Sequence, residues 1–198
     1  MRLRPKNNEE LTDLSAKPSR HAQWRAMKHR RIRDTAVFAM LGALMFTSKI
    51  LMEALPNIHL IGVMIVALTV VYRARALYAI YVFVILTGLY GGFSLWWMPY
   101  LYIWTVLWGV TMLLPRRMPR AVAPVVYSAV CAAHGFLFGT LYAPAQALLF
   151  GLDFEGMVAW IVAGLYADLL HGMGNLVGSV LIIPLIHLIR RVDPYARA

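Results

Sequence analysis

The chain has 198 residues, of which 61% are hydrophobic and only 14% are charged. A soluble globular domain is roughly half apolar and about a quarter charged, so this composition excludes a water-soluble fold and indicates a lipid bilayer as the solvent. The net charge of +10 does not indicate nucleic-acid binding, because ten of the 19 Lys and Arg lie within residues 2–33 and most others occupy short gaps between apolar runs, as cytoplasmic membrane flanks do.

The N-terminal segment, residues 1–33, contains no apolar run and is predicted to be a basic cytoplasmic tail, with helix near Trp24 to Arg33. It does not resemble a cleavable signal peptide, because the first apolar run is as long as a full membrane span. The basic run at 28–33 either contacts anionic lipid headgroups or serves only as a topology signal.

Six apolar segments follow the tail, and each is predicted to be a membrane helix: residues 35–55, 58–72, 76–93, 100–114, 121–142 and 157–189. A spanning helix needs about 20 residues, so the outer ends of the short second and fourth segments are expected in folded loops or behind other protein. Pro184 is expected to bend the long sixth segment.

The basic residues predict the topology of these helices. If the N-terminus is inside, the inner segments hold 18 of the 19 Lys and Arg and the outer loops hold none. The positive-inside rule therefore predicts an all-α integral membrane protein with six helices and both termini cytoplasmic. Its domains would be the tail, a six-helix domain at 34–192 and a short C-terminal tail at 193–198.

Two predicted outer loops, residues 91–100 and 142–156, are apolar, aromatic and rich in glycine and proline. Solvated loops are polar, so these are expected to fold back onto the helices or to cover something. The sequence contains no evident internal repeat, which disfavours a transporter built from inverted repeats.

Polar residues within the spans are the candidate functional groups, because such residues are costly in lipid. Asp168, His171 and Asn175 lie at i, i+3 and i+7, so a helix places them on one stripe that faces the bundle. Either they contact a ligand or they form a hydrogen-bond network that joins helices.

Other polar residues are weaker candidates. Lys49 and Glu53, at i and i+4, could pair with each other, or one of them could face a ligand. His134, and Asn57 beside His59, are further candidates.

No tight motif such as H-E-x-x-H links the histidines, so no metal site is predicted. Cys131, the one cysteine, is expected to be a buried packing residue.

An aromatic set near the predicted outer face has two interpretations. It is either the belt of an ordinary membrane protein or a stacking surface for a planar heterocycle. Its members are Trp96, Trp97, Tyr100, Tyr102, Trp104 and Trp108.

Motifs for catalysis and ATP binding are missing from the sequence. There is no G-x-x-x-x-G-K-[ST], no G-x-S-x-G and no intramembrane carboxylate pair. The chain is therefore predicted not to be an enzyme, and its energy source would be an ion gradient or a separate ATPase.

Together these features resemble one family over roughly residues 34–192. The Ala39-x-x-x-Ala43 motif is similar to the docking signature of S components of energy-coupling factor (ECF) vitamin transporters, and residues 163–175 resemble the polar stripe of their sixth helix. The resemblance implies a multi-pass protein of a prokaryotic cell membrane that binds a vitamin or vitamin precursor on the outer face. Ala39 and Ala43 would dock on a T component, and two partner ATPases would use ATP, with no cofactor on this chain.

The resemblance also implies a substrate site beneath the outer loops. Its expected members are Asp168, His171, Asn175, Trp96, Trp97, Tyr100, Tyr142, Gln146, Lys49, Glu53, Asn57 and His134. Two alternatives stay open: an ion-coupled carrier with Glu53 or Asp168 as its proton site, and a small membrane enzyme acting on lipid.

Overall fold

The computed structural model describes residues 19–55 and 57–193, and these residues form helices, turns and loops without a β-strand. The remaining parts of both predicted tails, and Pro56, lie outside the described residues. The α-helices are α1 Arg20–Leu51, α2 Ile61–Tyr72, α3 Ala76–Gly91, α4 Tyr100–Leu113, α5 Ala123–Phe136, α6 Phe138–Phe150, α7 Phe154–Gly178 and α8 Ile182–Val192.

Length and composition suit these helices to a membrane. Among residues 19–55 and 57–193, four helical stretches are long and apolar enough to cross one, and α4 is a shorter apolar helix. The four stretches are Arg20–Leu51, Ile61–Gly91, Ala123–Phe150 and Phe154–Val192. The prediction of an all-helical chain with membrane-spanning segments is therefore confirmed at this level.

Helix α1 includes the predicted helix near Trp24 to Arg33 and joins it to the predicted first span, 35–55, whose bounds differ at both ends. It begins well before residue 35, because Ser19 caps it by accepting the Ala22 N–H at 3.2 Å and no glycine or proline follows until Gly42. It ends at Leu51, and residues 52–55 form turns. The chain divides into two compact units, up to Val37 and from Phe38 onward, and the rest of the fold described here belongs to the second.

Helix α2 is the centre of the second unit. All residues from Ile61 to Thr69 are buried, and α2 packs against α3, α4, α5, α7 and α8. A helix that is apolar all round is a buried helix. The neighbouring helices shield it, which explains how so short a segment can be stable.

The chain reverses between α2 and α3 at Arg73, which adopts a left-handed φ of 55°. The Trp108 indole N–H donates to the Arg73 carbonyl at 3.1 Å, and the Arg73 guanidinium donates to the Met112 carbonyl at 2.5 Å. One turn before Trp108 on α4, the Trp104 ring contacts both Phe83 of α3 and His59, which precedes α2. Helices α2 and α3 are therefore antiparallel neighbours that both lie along α4.

Helices α5 and α7 form the closest pair. Ser179 bonds to Ser128 at 2.7 Å, and the Asn175 amide donates to the Cys131 carbonyl at 3.0 Å, so the helices are antiparallel. Their backbones touch where glycines meet, since a Cβ on Gly135 would lie 2.8 Å from the Gly172 Cα. Small residues allow this close approach in membrane proteins.

The loop predicted at 142–156 is largely helix, which corrects the sequence prediction. Helix α6 continues to Phe150 and contains Pro144, and only Gly151–Asp153 separates it from α7. The left-handed φ of Gly151 ends α6, and Asp153 caps α7 by accepting the Gly156 N–H at 2.8 Å. Packing of α6 against α7 outweighs the local proline signal.

The C-terminal end of α7 passes through a 3-10 turn, Ser179–Leu181, before α8 begins. The break lies one turn before Pro184, where the missing proline N–H interrupts the helical ladder. The predicted sixth segment is therefore two helices.

Polarity is inverted on α7 compared with a soluble helix. Its buried face carries Asp168, His171 and Asn175, whereas its exposed face is apolar. The exposed large apolar side chains of α7 are Phe154, Val158, Val162, Leu165, Tyr166, Leu169, Met173, Leu176 and Val177. An apolar exterior of this extent suits contact with lipid.

The α5–α7 contact generates a stability prediction. Gly135→Ala should lower the free energy of unfolding by roughly 1–3 kcal/mol, because the added Cβ meets backbone that cannot move aside cheaply. Thermal unfolding in detergent measures the effect. Gly164→Ala is the matched control, since a Cβ there meets nothing within 4 Å, and equal melting temperatures for the two variants would contradict the prediction.

Candidate functional site

Two members of the α7 polar stripe join helices. Asp168 accepts the Gly139 backbone N–H at 2.8 Å, and Asn175 donates to the Cys131 carbonyl at 3.0 Å. Asn175 is also enclosed, because a Cβ on Gly62 or Gly135 would lie within 3.0 Å of its amide nitrogen. Of the two interpretations of the stripe, a helix-joining network therefore describes these two residues.

His171, between them on the stripe, faces a different environment. Its ring centroid lies 4.7 Å from that of Phe138 and 4.8 Å from that of His59. Its side chain is 2% exposed. His171 thus belongs to a set of packed rings contributed by five parts of the fold, which we call the ring cluster and which comprises His59, Tyr100, Trp104, His134, Phe138 and His171.

Trp104 is the centre of the ring cluster. Its centroid lies 5.4 Å from that of Phe138, 5.6 Å from that of His134 and 5.7 Å from that of Tyr100. The centroid of the His59 ring lies 6.0 Å from that of Trp104. These spacings are those of favourable aromatic pairs, mostly edge-to-face or tilted.

The ring cluster contains polar atoms that the protein does not satisfy. Among the described residues, His59 Nδ1, Trp104 Nε1, His134 Nδ1 and His171 Nε2 are buried and have no hydrogen-bond partner. Buried polar atoms are normally paired, and unpaired ones are costly. Their convergence on one set of packed rings makes the ring cluster the candidate binding site among the described residues.

His134 has a defined role within this group. Its Nε2 lies 3.1 Å from the Ile103 carbonyl oxygen, which can only accept. Nε2 therefore donates, and in the neutral imidazole Nδ1 is left as an acceptor. His134 thus has an unpartnered acceptor, and its ring centroid lies 5.6 Å from that of Trp104, whose indole N–H is always a donor.

Lys49 lies close enough to His59 to act on it electrostatically. His59 lies in the loop between α1 and α2, outside the spanning stretches, and burial followed by the Lys49 and His134 charges lowers its pKa to about 4. Lys49 and Glu53 form no ion pair within residues 19–55 and 57–193. The reason is that α1 ends at Leu51, so the helical i, i+4 relation does not hold, and Glu53 is exposed.

The connection between α3 and α4 folds back onto the helices, as its composition predicts. The Trp97 indole N–H donates to the Val84 carbonyl at 2.8 Å, and the Phe93 and Trp97 rings are 4.9 Å apart. Trp96 packs edge-on against Tyr100 at 5.6 Å, and Tyr142 donates to the Trp96 carbonyl at 2.6 Å. Trp96 and Tyr142 thus lie at the edge of the ring cluster, where they pack against Tyr100 and Phe138 respectively.

Some predicted site residues lie elsewhere. Asn57 is exposed in the turn before α2, with a left-handed φ of 57°. Gln146 lies half-buried on α6 rather than in a loop. Tyr102 donates to the Leu141 carbonyl at 2.6 Å, and Trp108 lies at the Arg73 turn, so neither belongs to the ring cluster.

Sequence reasoning gave too little weight to three members of the ring cluster. His59 was only a weak candidate, Trp104 was one of six aromatics, and Phe138 was not identified. The available signal was the i, i+4 spacing of His134 and Phe138 within the predicted fifth segment, 121–142, since one helix would place them on the same face. Within the residues that the structure describes, no group of three metal-ligating side chains could hold a metal ion.

Comparison with known proteins gives no match to a protein-family model, to a curated protein or to a solved structure. The functional argument therefore depends on the residues of this chain.

The hydrogen bond from the Gly139 N–H to Asp168 predicts that two Asp168 variants differ in stability. Asp168→Ala should lower the free energy of unfolding by roughly 1–3 kcal/mol, because it leaves the buried Gly139 N–H without an acceptor. Asp168→Asn keeps an acceptor oxygen and should remain close to the unmodified protein. Thermal unfolding in detergent tests this, and equal losses in both variants would refute a hydrogen-bonding role.

His59 predicts a pH dependence. The pKa of His59 is lowered from 6.5 to about 4 in the folded protein, so the unfolded chain binds a proton at this residue more readily. The contribution of His59 to the free energy of unfolding therefore decreases as pH falls from about 6.5 towards 4. His59→Asn should reduce the loss in melting temperature between pH 7.5 and pH 5. An unchanged pH profile in the variant would contradict this.

Proposed function

We propose that this chain is the substrate-binding S component of an ECF-type importer, which captures a vitamin-like small molecule and delivers it with a T component and two ATPase subunits. The observation that carries the proposal is the ring cluster with its unpartnered buried nitrogens. Small-molecule sites combine apolar and aromatic walls with a few converging polar groups, and this cluster has that composition.

We further propose six spans with both termini cytoplasmic. The spans would be α1, α2, α3, α4, the α5–α6 stretch and the α7–α8 stretch. The arrangement of charge supports this, because Arg73 reaches the end of α4 at Met112 and both Arg73 and Arg190 act electrostatically on Tyr127. Basic residues from separate connections thus gather at one end, and the ring cluster lies towards the other.

The docking proposal concerns one face of α1. Ala39 and Ala43 are exposed, whereas Phe38, Gly42 and Met45 are buried on the opposite face. Gly42 lies directly against α3, where a Cβ would come within 2.7 Å of the Ala79 carbonyl oxygen. Helix α1 therefore packs by one face and leaves small residues on the other, where a partner helix could approach closely.

A second candidate is an ion-coupled carrier that uses Asp168 as its proton site. The observation that favours it is the buried Asp168 Oδ2, which has no hydrogen-bond partner among the described residues. Proteoliposomes containing this chain alone discriminate the two functions. An S component should bind solute without accumulating it, whereas accumulation driven by a proton gradient would establish the ion-coupled carrier.

The docking face generates a transport prediction. Ala39→Trp combined with Ala43→Trp should reduce ATP-dependent uptake at least about tenfold in cells with the complete importer, because bulky rings prevent close helix approach. Solute binding by the purified variant should be unchanged. Ala159→Trp with Ala163→Trp, an exposed pair of the same spacing on α7, is the matched control. Normal uptake by the α1 variant would refute the docking role.

A further inference from the structure

The N-terminal part of α1, residues 19–37, belongs to the first compact unit of the chain and contributes no residue to the ring cluster. Residues 19–25 and 27–32 are all exposed, so every face of the helix is open along this length. Three of the exposed side chains are large and apolar, namely Trp24, Met27 and Ile32. This helical surface is therefore accessible to a partner from outside the chain.

The charge of this segment is strongly one-sided. Residues 19–37 contain one acidic residue, Asp34, which pairs with Arg33. They contain six basic residues, which are Arg20, Arg25, Lys28, Arg30, Arg31 and Arg33. Residues 1–18 add four basic and three acidic residues, so the sequence before the segment does not neutralise it. The segment thus keeps a net positive charge that an anionic partner would complement.

The order of these charges along α1 is unfavourable for a helix alone in water. Arg20 lies in the first turn, which has no acidic residue, although the N-terminal end of the helix dipole favours negative charge. Lys28 and Arg31 are three residues apart, as are Arg30 and Arg33, and like charges at this spacing repel each other. A neighbouring anionic surface would offset both effects.

The position of the charges along α1 indicates which anionic surface is within reach. Helix α1 continues to Leu51, and the stretch Arg20–Leu51 is long and apolar enough to cross a membrane. About 20 helical residues cross the hydrocarbon core, so a span that ends at Leu51 begins near Ile32. Lys28, Arg30 and Arg31 then lie within about one turn of the hydrocarbon edge, at the level of the lipid headgroups.

We propose that residues 19–37 bind the headgroups of anionic phospholipids through Lys28, Arg30 and Arg31. Trp24 supports this surface, because the Lys28 ammonium lies 5.3 Å from the centroid of the Trp24 ring and tryptophan favours the membrane interface. The proposal goes beyond the importer function. It rests on α1 spanning a bilayer and not on the solute or on the ATPase partners.

The test measures which lipids surround this segment in the full chain, reconstituted in bilayer discs that leave both membrane faces open. Met27→Cys in a Cys131→Ala background carries a fluorophore. The discs contain phosphatidylcholine and phosphatidylglycerol in about equal amounts, and a nitroxide quencher is attached to one lipid class or the other. We expect nitroxide phosphatidylglycerol to quench the label at least about twofold more than nitroxide phosphatidylcholine does, and roughly 0.5 M salt to reduce this preference.

A triple variant assigns the preference to the proposed residues. Lys28→Gln, Arg30→Gln and Arg31→Gln together should bring the quenching ratio close to one, since each basic residue near an anionic surface strengthens binding roughly fivefold. The matched control removes the same number of charges from another exposed connection, with Arg116→Gln, Arg117→Gln and Arg120→Gln. The control should keep the preference of the unmodified protein.

Three results would overturn the proposal. A quenching ratio near one in the unmodified protein would leave the basic run as a topology signal only. An equal loss in the control variant would assign the preference to the charge of the whole protein. Shielding of the label from acrylamide only when the ATPase subunits are added, without lipid preference, would assign the segment to a protein partner. Each of these results leaves the importer proposal standing, because solute binding is measured separately.

Discussion

The hydrogen bonds that join α7 to its neighbours fix the register on which the site depends. In the low-dielectric interior of a helix bundle, a buried polar group needs a hydrogen-bond partner. Asp168 binds the Gly139 N–H, and Asn175 binds the Cys131 carbonyl, so the polar stripe is held at two points. His171 lies between them and must therefore face Phe138 and His59. The close contact of Gly135 with Gly172 makes this register possible.

The second unit of the protein has a largely apolar exterior and buries a few polar groups within a mostly apolar core. Helix α7 shows this most clearly, with a buried polar stripe and an exposed apolar face. Lipid does not reward burial of apolar side chains, so packing of small residues and hydrogen bonds must hold the helices together. The ring cluster is an exception to this pattern, because it keeps buried nitrogens without hydrogen-bond partners among the described residues. A core selected only for stability would replace such atoms with hydrocarbon.

Several elements could be predicted from the sequence because local chemistry determines them. Helix α4 begins directly after Pro99 and ends before Pro115. The predicted bounds agree with the observed helix, Tyr100–Leu113, to within one residue. Helical periodicity alone placed Asp168, His171 and Asn175 on one buried face. The loop at 142–156 was predicted wrongly, because Pro144 and Gly151 are turn signals only where tertiary contacts do not support a helix.

By itself the sequence determined the helical fold class, the apolar stretches suited to span a membrane and the helices that carry polar residues, because hydropathy and periodicity are local properties. Only the tertiary structure decided which of those residues meet. Trp104 and Trp108 are one turn apart on α4, yet Trp104 enters the ring cluster and Trp108 bonds to the Arg73 turn. His59 and Phe138 join the cluster from distant positions in the chain. Such meetings depend on the register between helices, and register is set by contacts across the whole bundle rather than by neighbouring residues.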